Sequence, residues 1–320
     1  MSNRVNNAAA NTAATAATAN RNPGQKKPPL EPGCKVIAFP GNKIKIVLTP
    51  KELGRGQYGT VHYGYLEDNP NKYYAVKVID RKRIRGKNHE LLVNEIEIMT
   101  EIQHQNVVGM VCGTKTQTNY YLVMEFVNGG DLDGFIKARK GYMPEVEARI
   151  VLKGLVQGLM AIKNQNVMHR DLKLANILLH FPRLTKDQLF SPSFSKTEYV
   201  RNVQIAPGPG SHPVPFQVKI ADLGFARKLQ QDQLAATRLG TPLMMAPEVL
   251  DGNKYDHTAD VWSLGAVFYE MLTGYAPFTG TSQTNLAENI ARGTYYFPKS
   301  CKFSIQGLSF LNSCLQYDSA

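Results

Sequence analysis

An α+β architecture with two lobes is expected for this 320-residue chain, because strand-like and helix-like patterns occupy different parts of it. Between residues 43 and 80, apolar and polar side chains alternate with the period of two that is typical of strands. From residue 131 onward, apolar residues recur mostly at helical spacing. A β-rich part followed by an α-rich part indicates two packed units with a cleft between them.

Residues 1–33 are predicted to be a disordered tail. They are rich in Asn, Ala, Thr and Pro and contain almost no large apolar side chains. Folding would therefore bury too little surface to offset the loss of chain entropy. Residues 34–44 are then expected to form an N-terminal extension, and the first lobe is placed at 45–127.

The first lobe is predicted to contain five strands and one helix. Three alternating runs, "KIKIVLTPKELG", "GTVHYGYL" and "KYYAVKVID", come first, and Asn69, Pro70 and Asn71 are the predicted turn between the second and third. A helical pattern follows at 88–103, and two more strand-like runs lie around 107–113 and 119–126.

The second lobe, residues 128–320, is predicted to be mainly helical, with one long interruption. Residues 181–217 contain six prolines and two glycines, so we predict a long loop there. A loop of this length is unusual inside a compact domain, and we favour a tolerated surface insertion over a binding element. The predicted helices are 131–139, 145–166, 259–273 and 283–292.

Composition narrows the classes of function. The net charge of +11 is scattered, and its densest cluster, "DRKRIRGK", lacks the interleaved aromatic residues of a nucleic-acid-binding motif, so no specific nucleic acid is expected. The cysteines form no CxxC pair or zinc spacing, which favours reduced thiols in a cytoplasmic or nuclear protein. No apolar run approaches the roughly 18 residues of a membrane span.

A glycine-rich motif lies in "LGRGQYGTV", where Gly54, Gly56 and Gly59 form G-x-G-x-x-G. In a dinucleotide-binding fold a helix begins at the third glycine, whereas here an alternating, strand-like run follows. We therefore place the glycines in a hairpin. Such a hairpin could bring backbone N–H groups close to phosphate oxygens, or it could be a plain turn.

Two charged residues stand among apolar ones. Lys77 lies in the strand-like run "YYAVKVI", on the same face as Ala75. Glu95 falls on the apolar stripe of the predicted helix, with Leu92, Met99 and Ile102. A carboxylate on an inward face needs a cation, so Lys77 is the expected partner, although an edge lysine and a marginal glutamate in solvent would fit the pattern as well.

The segment "HRDLKLAN", residues 169–176, matches the catalytic loop of protein kinases, H-R-D-L-x-x-x-N. Downstream, "DLGFAR" stands where that family has D-F-G, and "MAPE" where it has A-P-E. The chain therefore resembles a eukaryotic protein kinase, with a β-rich N-lobe and a helical C-lobe, over about five-sixths of its length. "YLVMEFVNGGDL", "VKIADLGFARKL" and "AATRLGTP" resemble the autophagy-initiating kinase group, with calcium/calmodulin-type and polo-type kinases as alternatives.

The resemblance implies Mg²⁺-dependent transfer of the ATP γ-phosphate to Ser or Thr hydroxyls of protein substrates. Asp171 would accept or orient the hydroxyl proton, and Lys173 would neutralise charge. Asn176 and Asp222 would bind the metal. Lys77, held by Glu95, would bind the α- and β-phosphates, which Gly54, Gly56 and Gly59 would cover. A histidine-based hydrolase is excluded by the same resemblance, because His169 is not the base in kinases.

The resemblance also implies an adenine site and a regulatory segment. Asp131 is expected at the ribose; a helix N-cap is the simpler alternative, and one side chain can fill both roles. Thr237 is the expected phosphorylation site, and its phosphate would pair with Arg170. Thr241 would support Asp171 and Lys173, Asp260 would anchor the catalytic loop, and Phe225 favours Ser acceptors. The adenine would contact Val61, Ala75 and Leu178 and the backbone of Met124, Glu125 and Val127, with Met124 as gatekeeper.

Two departures from the kinase pattern leave a pseudokinase, an ATP-binding scaffold without turnover, as a rival hypothesis. Leu223 replaces the usual Phe, although an apolar Leu can fill the same packing site. The sequence ends at "LQYDSA", before the last kinase helix and the Arg that would pair with Glu248. Pseudokinases usually lack residues of the Lys77, Asp171 or Asp222 type, and all three are present.

Overall fold

The computed structural model describes residues 30–56, 59–84, 87–203, 205–206, 216–223, 226–228, 241–299, 301 and 303–317. Most of the predicted tail lies outside these ranges, as do Phe225 and the expected phosphorylation site Thr237. Within them the predicted α+β fold is confirmed: a sheet-rich N-lobe precedes a mainly helical C-lobe. None of the helices in this part of the chain is long and apolar enough to cross a membrane.

The N-lobe is built on one antiparallel sheet of six strands, in the order β1-β2-β3-β4-β6-β5. The turn between β3 and β4 is one element that the sequence analysis placed wrongly. Leu66 pairs with Asn69, so the turn consists of Glu67 and Asp68, and Asn69 already belongs to the next strand. The strands are β1 (Lys35–Phe39), β2 (Ile44–Arg55), β3 (Gly59–Leu66), β4 (Asn69–Asp80), β5 (Met110–Lys115) and β6 (Asn119–Glu125).

Strand β1 lies in the segment that we expected to be an extension outside the first lobe. It pairs with β2 in antiparallel register, from Lys35 opposite Leu48 to Phe39 opposite Ile44. Phe39 is buried in the same apolar cluster as Ile46 and Leu48. The N-lobe sheet therefore begins at residue 35 and not at 45.

Helix α1 (Lys87–Glu101) lies between β4 and β5 in the chain. Leu92, Glu95, Met99 and Ile102 are all buried, as their common stripe predicted. Glu97 and Glu101, which the helical spacing placed on other faces, are exposed. The helix thus turns one carboxylate toward the interior.

The C-lobe is organised around helix α7, which is buried on most sides and ends at Gly274, a left-handed residue with φ 79°. Its Trp262 ring stacks on Phe278 at 5.5 Å. The four long helices predicted from periodicity are present within a few residues of their expected ends. The C-lobe helices are α2 (Leu132–Ala138), α3 (Glu145–Lys163), α4 (Lys186–Phe190), α5 (Lys196–Asn202), α6 (Pro247–Leu250), α7 (Thr258–Thr273), α8 (Gln283–Ala291) and α9 (Ile305–Cys314).

Helices α4 and α5 lie in the segment 181–217, where the sequence analysis predicted a long loop. Thr185 and Gln188 form a reciprocal capping box at the start of α4, and the Ser195 side chain caps α5. Val200 and Val203 are buried in the C-lobe core. This part of the insertion is therefore helical and docked on the C-lobe.

Two short antiparallel strand pairs frame the predicted catalytic loop. Strands β7 (Val167–Met168) and β10 (Arg227–Lys228) pair at its start, and β8 (Ile177–His180) and β9 (Gln217–Ile220) pair at its end. The backbone of Val108 and Asn106 also bonds to Ile220. These pairings bring the HRD segment and the DLG segment together beneath the N-lobe sheet.

Candidate active site

The loop from His169 to Asn176 is held from below by Asp260 of the buried helix α7. The two carboxylate oxygens of Asp260 accept hydrogen bonds from the backbone N–H groups of His169 at 2.8 Å and Arg170 at 2.9 Å. Arg170 has φ 67°, a left-handed conformation that a non-glycine residue rarely adopts without such support. The predicted anchoring role of Asp260 is confirmed by these contacts.

Asp171 lies at the centre of a closed polar network, and its side chain is only 2% exposed. Its Oδ1 accepts a hydrogen bond from the Thr241 hydroxyl at 2.8 Å, and its Oδ2 lies 2.8 Å from Lys173 Nζ. Lys173 Nζ donates to Thr241 Oγ1 at 2.9 Å, and Asn176 Nδ2 donates to Asp171 Oδ2 at 3.0 Å. The network holds the carboxylate in one orientation beside a positive charge, so it can orient a hydroxyl group and accept its proton.

Lys77 and Glu95 form the predicted ion pair, with 2.6 Å between Nζ and Oε1. Lys77 comes from β4 and Glu95 from α1, and both side chains are largely buried. The same Nζ lies 4.0 Å from Asp222 Oδ1 in the C-lobe. The Asp222 side chain is 48% exposed, and its backbone is left-handed with φ 62°. This arrangement presents an accessible carboxylate beside a fixed ammonium group, where an anion and a cation could bind together.

The glycine motif forms a hairpin between β2 and β3, which excludes the strand–helix turn of a dinucleotide-binding fold. Gly54 pairs with Val61, and Gly56 N–H bonds to the Gly59 carbonyl at 2.9 Å. A Cβ on Gly54 would meet no described atom within 4 Å, whereas a Cβ on Gly59 would overlap the Val78 carbonyl of β4. Gly54 therefore leaves open space at the hairpin, and Gly59 is required by the sheet itself.

Three apolar side chains that were predicted at the adenine come from both lobes, and we call the space between them the apolar slot. Val61 and Ala75 lie on the sheet face that also carries Lys77, and Leu178 of β8 comes from the C-lobe. All three are half-buried, while their neighbours Val76 and Leu179 are fully buried. Partly exposed apolar side chains on two facing lobes suit a flat apolar ring.

The end of β6 and the connection from β6 to α2 carry the other residues that were predicted at the nucleotide. Met124, the expected gatekeeper, pairs with Ala75 in the sheet register, and Val127 follows it in the connection. Asp131 is the N-cap of α2, since its Oδ1 accepts a hydrogen bond from Gly134 N–H at 2.7 Å. It also forms a backbone bridge with Leu178. The N-cap alternative for Asp131 is thus confirmed, and the ribose contact stays a prediction.

Glu125 was expected to meet the adenine through its backbone, and its side chain points elsewhere. The carboxylate accepts a hydrogen bond from Gly109 N–H at 2.8 Å and pairs with the buried Lys219 of β9 at 2.8 Å. Only the backbone of Glu125 can therefore face the slot. The sequence analysis did not identify Lys219, although a lysine within the apolar run "VKIA" is the same signal that singled out Lys77.

Two of the remaining predicted residues, Thr241 and Leu223, lie as expected, whereas the expected role of Arg170 depends on a phosphate. Thr241 contacts both Asp171 and Lys173, as predicted, and Leu223 is buried in the C-lobe core, as expected for an apolar residue at this position. Arg170 is buried, with Nη1 3.5 Å from the Tyr255 hydroxyl oxygen. Its pairing with a phosphate on Thr237 stays a prediction. Burial raises the pKa of Glu248, and the nearby Asp256 and Asp251 add to this effect.

Comparisons with known proteins agree with this geometry. Residues 48–320 match the family model described as the protein kinase domain. The chain is 34% identical over 265 residues to the serine/threonine-protein kinase ATG1c of Arabidopsis thaliana, covering 82% of this chain and 32% of that protein. It is 35% identical to ATG1 of Candida glabrata, covering 84% and 30%, and 35% identical to human ULK1, covering 73% and 20%.

The chain thus spans about a third or less of the length of these curated relatives. The family match, residues 48–320, includes the kinase motifs, and the predicted resemblance to the autophagy-initiating group is confirmed by the relatives that match. From the family match and from the arrangement of Lys77, Asp171 and Asp222, the chain belongs to the protein kinase domain family, in the ATG1/ULK group.

Proposed function

We propose that this chain is a serine/threonine protein kinase that transfers the γ-phosphate of ATP to hydroxyl groups of protein substrates. The observation that carries the proposal is the position of Lys77, which pairs with Glu95 and lies 4.0 Å from Asp222. An ammonium group fixed between the two lobes can bind phosphate oxygens without losing further side-chain freedom on binding. The slot between Val61, Ala75 and Leu178 lies beside it and suits adenine.

Asn176 and Asp222 would bind Mg²⁺, and the metal would supply neutralisation of the phosphate charge. The donor set fits this ion, because Mg²⁺ prefers carboxylate and amide oxygens. Asn176 Nδ2 is already held by the backbone carbonyl and the carboxylate of Asp171, at 2.8 and 3.0 Å. Its Oδ1 is therefore the atom left to bind a cation.

On the acceptor side, Asp171 orients the substrate hydroxyl and accepts its proton as the hydroxyl oxygen bonds to the γ-phosphorus. The bond from that phosphorus to the β–γ bridging oxygen breaks, and ADP leaves. Lys173 stabilises the charge on the transferred group. The contacts of Thr241 with both residues support Ser and Thr as acceptors, by analogy with the family. The ATG1/ULK resemblance extends the proposal to autophagy-type signalling in the cytoplasm.

The test is phosphate transfer from Mg·ATP to a generic basic protein by the purified chain. We expect phosphoserine and phosphothreonine in the product, and background signal only from Asp222→Asn. Asp251→Asn, an exposed aspartate on the C-lobe, is the matched control and should retain activity. Equal signal from the wild type and Asp222→Asn would contradict the proposal. ATP binding without transfer would instead identify the rival pseudokinase.

A further inference from the structure

Helix α4 belongs to the C-lobe insertion, yet its side chains contact three strands of the N-lobe. The Phe190 ring lies 4.6 Å from the Tyr63 ring of β3, measured between centroids. Lys51 Nζ of β2 lies 3.8 Å from the centroid of the Phe190 ring. Lys186 Nζ donates to the Pro70 carbonyl of β4 at 3.0 Å. The insertion therefore makes direct contacts between the lobes.

The residues on either side of α4 are bound to the C-lobe by hydrogen bonds and by apolar packing. Asn128, a buried residue within the connection from β6 to α2, donates through Nδ2 to the carbonyls of Phe181 and Leu184 at 2.9 and 3.1 Å. Its Oδ1 accepts from Phe181 N–H at 2.8 Å. Val200 and Val203, at the end of α5, are buried in the C-lobe core. The segments before and after α4 are therefore packed on the C-lobe. Because of this, the contacts of α4 with the sheet connect the two lobes.

Phe190 completes an aromatic cluster that adjoins Ala75, one of the residues of the apolar slot. The hinge aromatic cluster consists of Tyr63, Tyr73, Phe126 and Phe190. Tyr63 lies opposite Ala75 in the sheet register, and both lie on the sheet face that forms the slot. The rings of Tyr63 and Tyr73 meet Phe126 edge-on at 5.6 and 5.4 Å. Three of these rings come from the N-lobe and the connection, and Phe190 alone comes from the insertion.

We propose that Phe190 is a positioning residue for nucleotide binding, and that helix α4 is a clasp which holds the two lobes at the spacing that the nucleotide requires. The inference rests on the proposed function, because it takes ATP as the ligand of the slot. ATP would contact Val61 and Ala75 on one lobe and Leu178 on the other, so it binds the closed arrangement. The apparent affinity falls in proportion when the closed arrangement is less populated.

Opening of the lobes would separate Phe190 from Tyr63 and Lys51 from the Phe190 ring. Together, the aromatic pair and the cation–π contact favour the closed arrangement by a factor of about 10, which is the upper limit of the change in apparent affinity when both are lost. The clasp therefore opposes nucleotide release as well as lobe opening. A purely structural role for Phe190 would stabilise the fold and leave the affinity for ATP unchanged, so the two roles are separable by measurement.

The test compares Phe190→Ala with Phe194→Ala. Phe194 is also half-buried in the insertion, but its ring packs on Tyr199 of α5 at 5.8 Å, within the insertion itself. Phe190→Ala should raise the Kd of Mg·ATP, measured by calorimetry, and the KM for ATP by about 3- to 10-fold, with kcat changed by less than about twofold. Phe194→Ala should leave Kd and KM unchanged, and Phe190→Tyr, which keeps the ring, should restore them.

Amide hydrogen exchange of the chain without nucleotide gives an independent measurement. Phe190→Ala should speed exchange at Glu125 and Gly129, which flank Phe126 and whose N–H groups donate to the carbonyls of Gly109 and Leu179 at 3.0 and 2.7 Å. Phe194→Ala should not. An unchanged Kd together with unchanged exchange in Phe190→Ala would overturn the clasp, as would equal changes in both alanine variants. If the chain binds ATP but transfers no phosphate, the proposed kinase activity fails while the comparison of Kd values still decides the clasp. If the chain binds no ATP, the exchange measurement decides it.

Discussion

Lys77 and Glu95 form a largely buried ion pair, with 2.6 Å between Nζ and Oε1, that joins strand β4 to helix α1. The same ammonium group lies 4.0 Å from Asp222 of the C-lobe. The Glu95 carboxylate on the helix therefore positions the Lys77 ammonium group on the sheet. That ammonium group in turn faces the accessible carboxylate of Asp222 in the other lobe. The position of α1 and the geometry of the phosphate site are linked through one side chain.

Glu95→Gln should lower kcat/KM for ATP by about 100-fold, because the neutral amide no longer fixes the Lys77 ammonium and a misplacement of about 1 Å carries a cost of this size. Steady-state kinetics at varied ATP concentration would measure the effect. Glu97→Gln is the control, since Glu97 lies two residues away on the same helix and is exposed. Comparable losses in both variants would show that the charge of the helix, and not the ion pair, matters.

Thr241→Val should lower kcat by about 10- to 100-fold, because it removes the hydroxyl that donates to Asp171 and accepts from Lys173. Both charged groups then lose a partner in a largely buried site. Thr241→Ser keeps the hydroxyl and should retain most of the activity. The two variants can be compared in a single-turnover assay with saturating ATP, and a serine variant as inactive as the valine variant would argue against this role.

Asp260→Asn should destabilise the C-lobe by about 2 kcal/mol, because an amide offers only one oxygen to the two backbone N–H groups of His169 and Arg170. The amide nitrogen would face a second donor, and the left-handed Arg170 would lose support. Denaturation by guanidinium chloride would give the difference in the free energy of unfolding. Asp251→Asn, at an exposed position, should show almost none.

Glu270 predicts a pH dependence of stability. Burial, assisted by the nearby Asp133, raises its pKa from 4.5 to about 7, while Lys137 acts in the opposite direction. The folded state therefore disfavours the ionised form. The free energy of unfolding should fall as the pH rises from about 4.5 to about 7 and then level off.

Glu270→Gln should remove this dependence and stabilise the protein at pH 8 by about 3 kcal/mol, with little effect below pH 4.5. Urea denaturation across this pH range would measure the difference between the variant and the wild type. Glu288→Gln, an exposed substitution on α8, is the control. A constant difference at every pH would mean that packing, and not ionisation, is responsible.

The parts of the fold that the sequence predicted are those specified by local patterns. The stripe of Leu92, Glu95 and Met99 defines the inward face of α1, and the run after Gly59 distinguishes a hairpin from a helix start. Helices α4 and α5 were not predicted, because the six prolines of residues 181–217 indicated a loop. Local signals were nevertheless present there, since Thr185 and Ser195 each precede by three residues a side chain, Gln188 or Glu198, that suits a capping box.

The parts of the site that could not be predicted depend on contacts between distant segments. No local pattern states that Glu125 will turn away from the slot toward Lys219, or that Phe190 will reach Tyr63 in the other lobe. Predicting either contact requires knowing which segments lie beside a given strand. The period-two alternation shows only which face of the strand a side chain is on. Motif matching identified Asp171, Asn176 and Asp222 because their roles are tied to short stretches of chain.

Strand β1 determines where a fragment of this protein that folds on its own can begin. The family match starts at residue 48, after β1 and the first residues of β2. A fragment cut at that point would lose Phe39 and Ile46 and uncover apolar side chains of the neighbouring strands, among them Tyr74, Val76 and Val123. Recombinant fragments that start before residue 35 should remain monomeric. Fragments that start at residue 48 should aggregate through the exposed apolar face of the sheet.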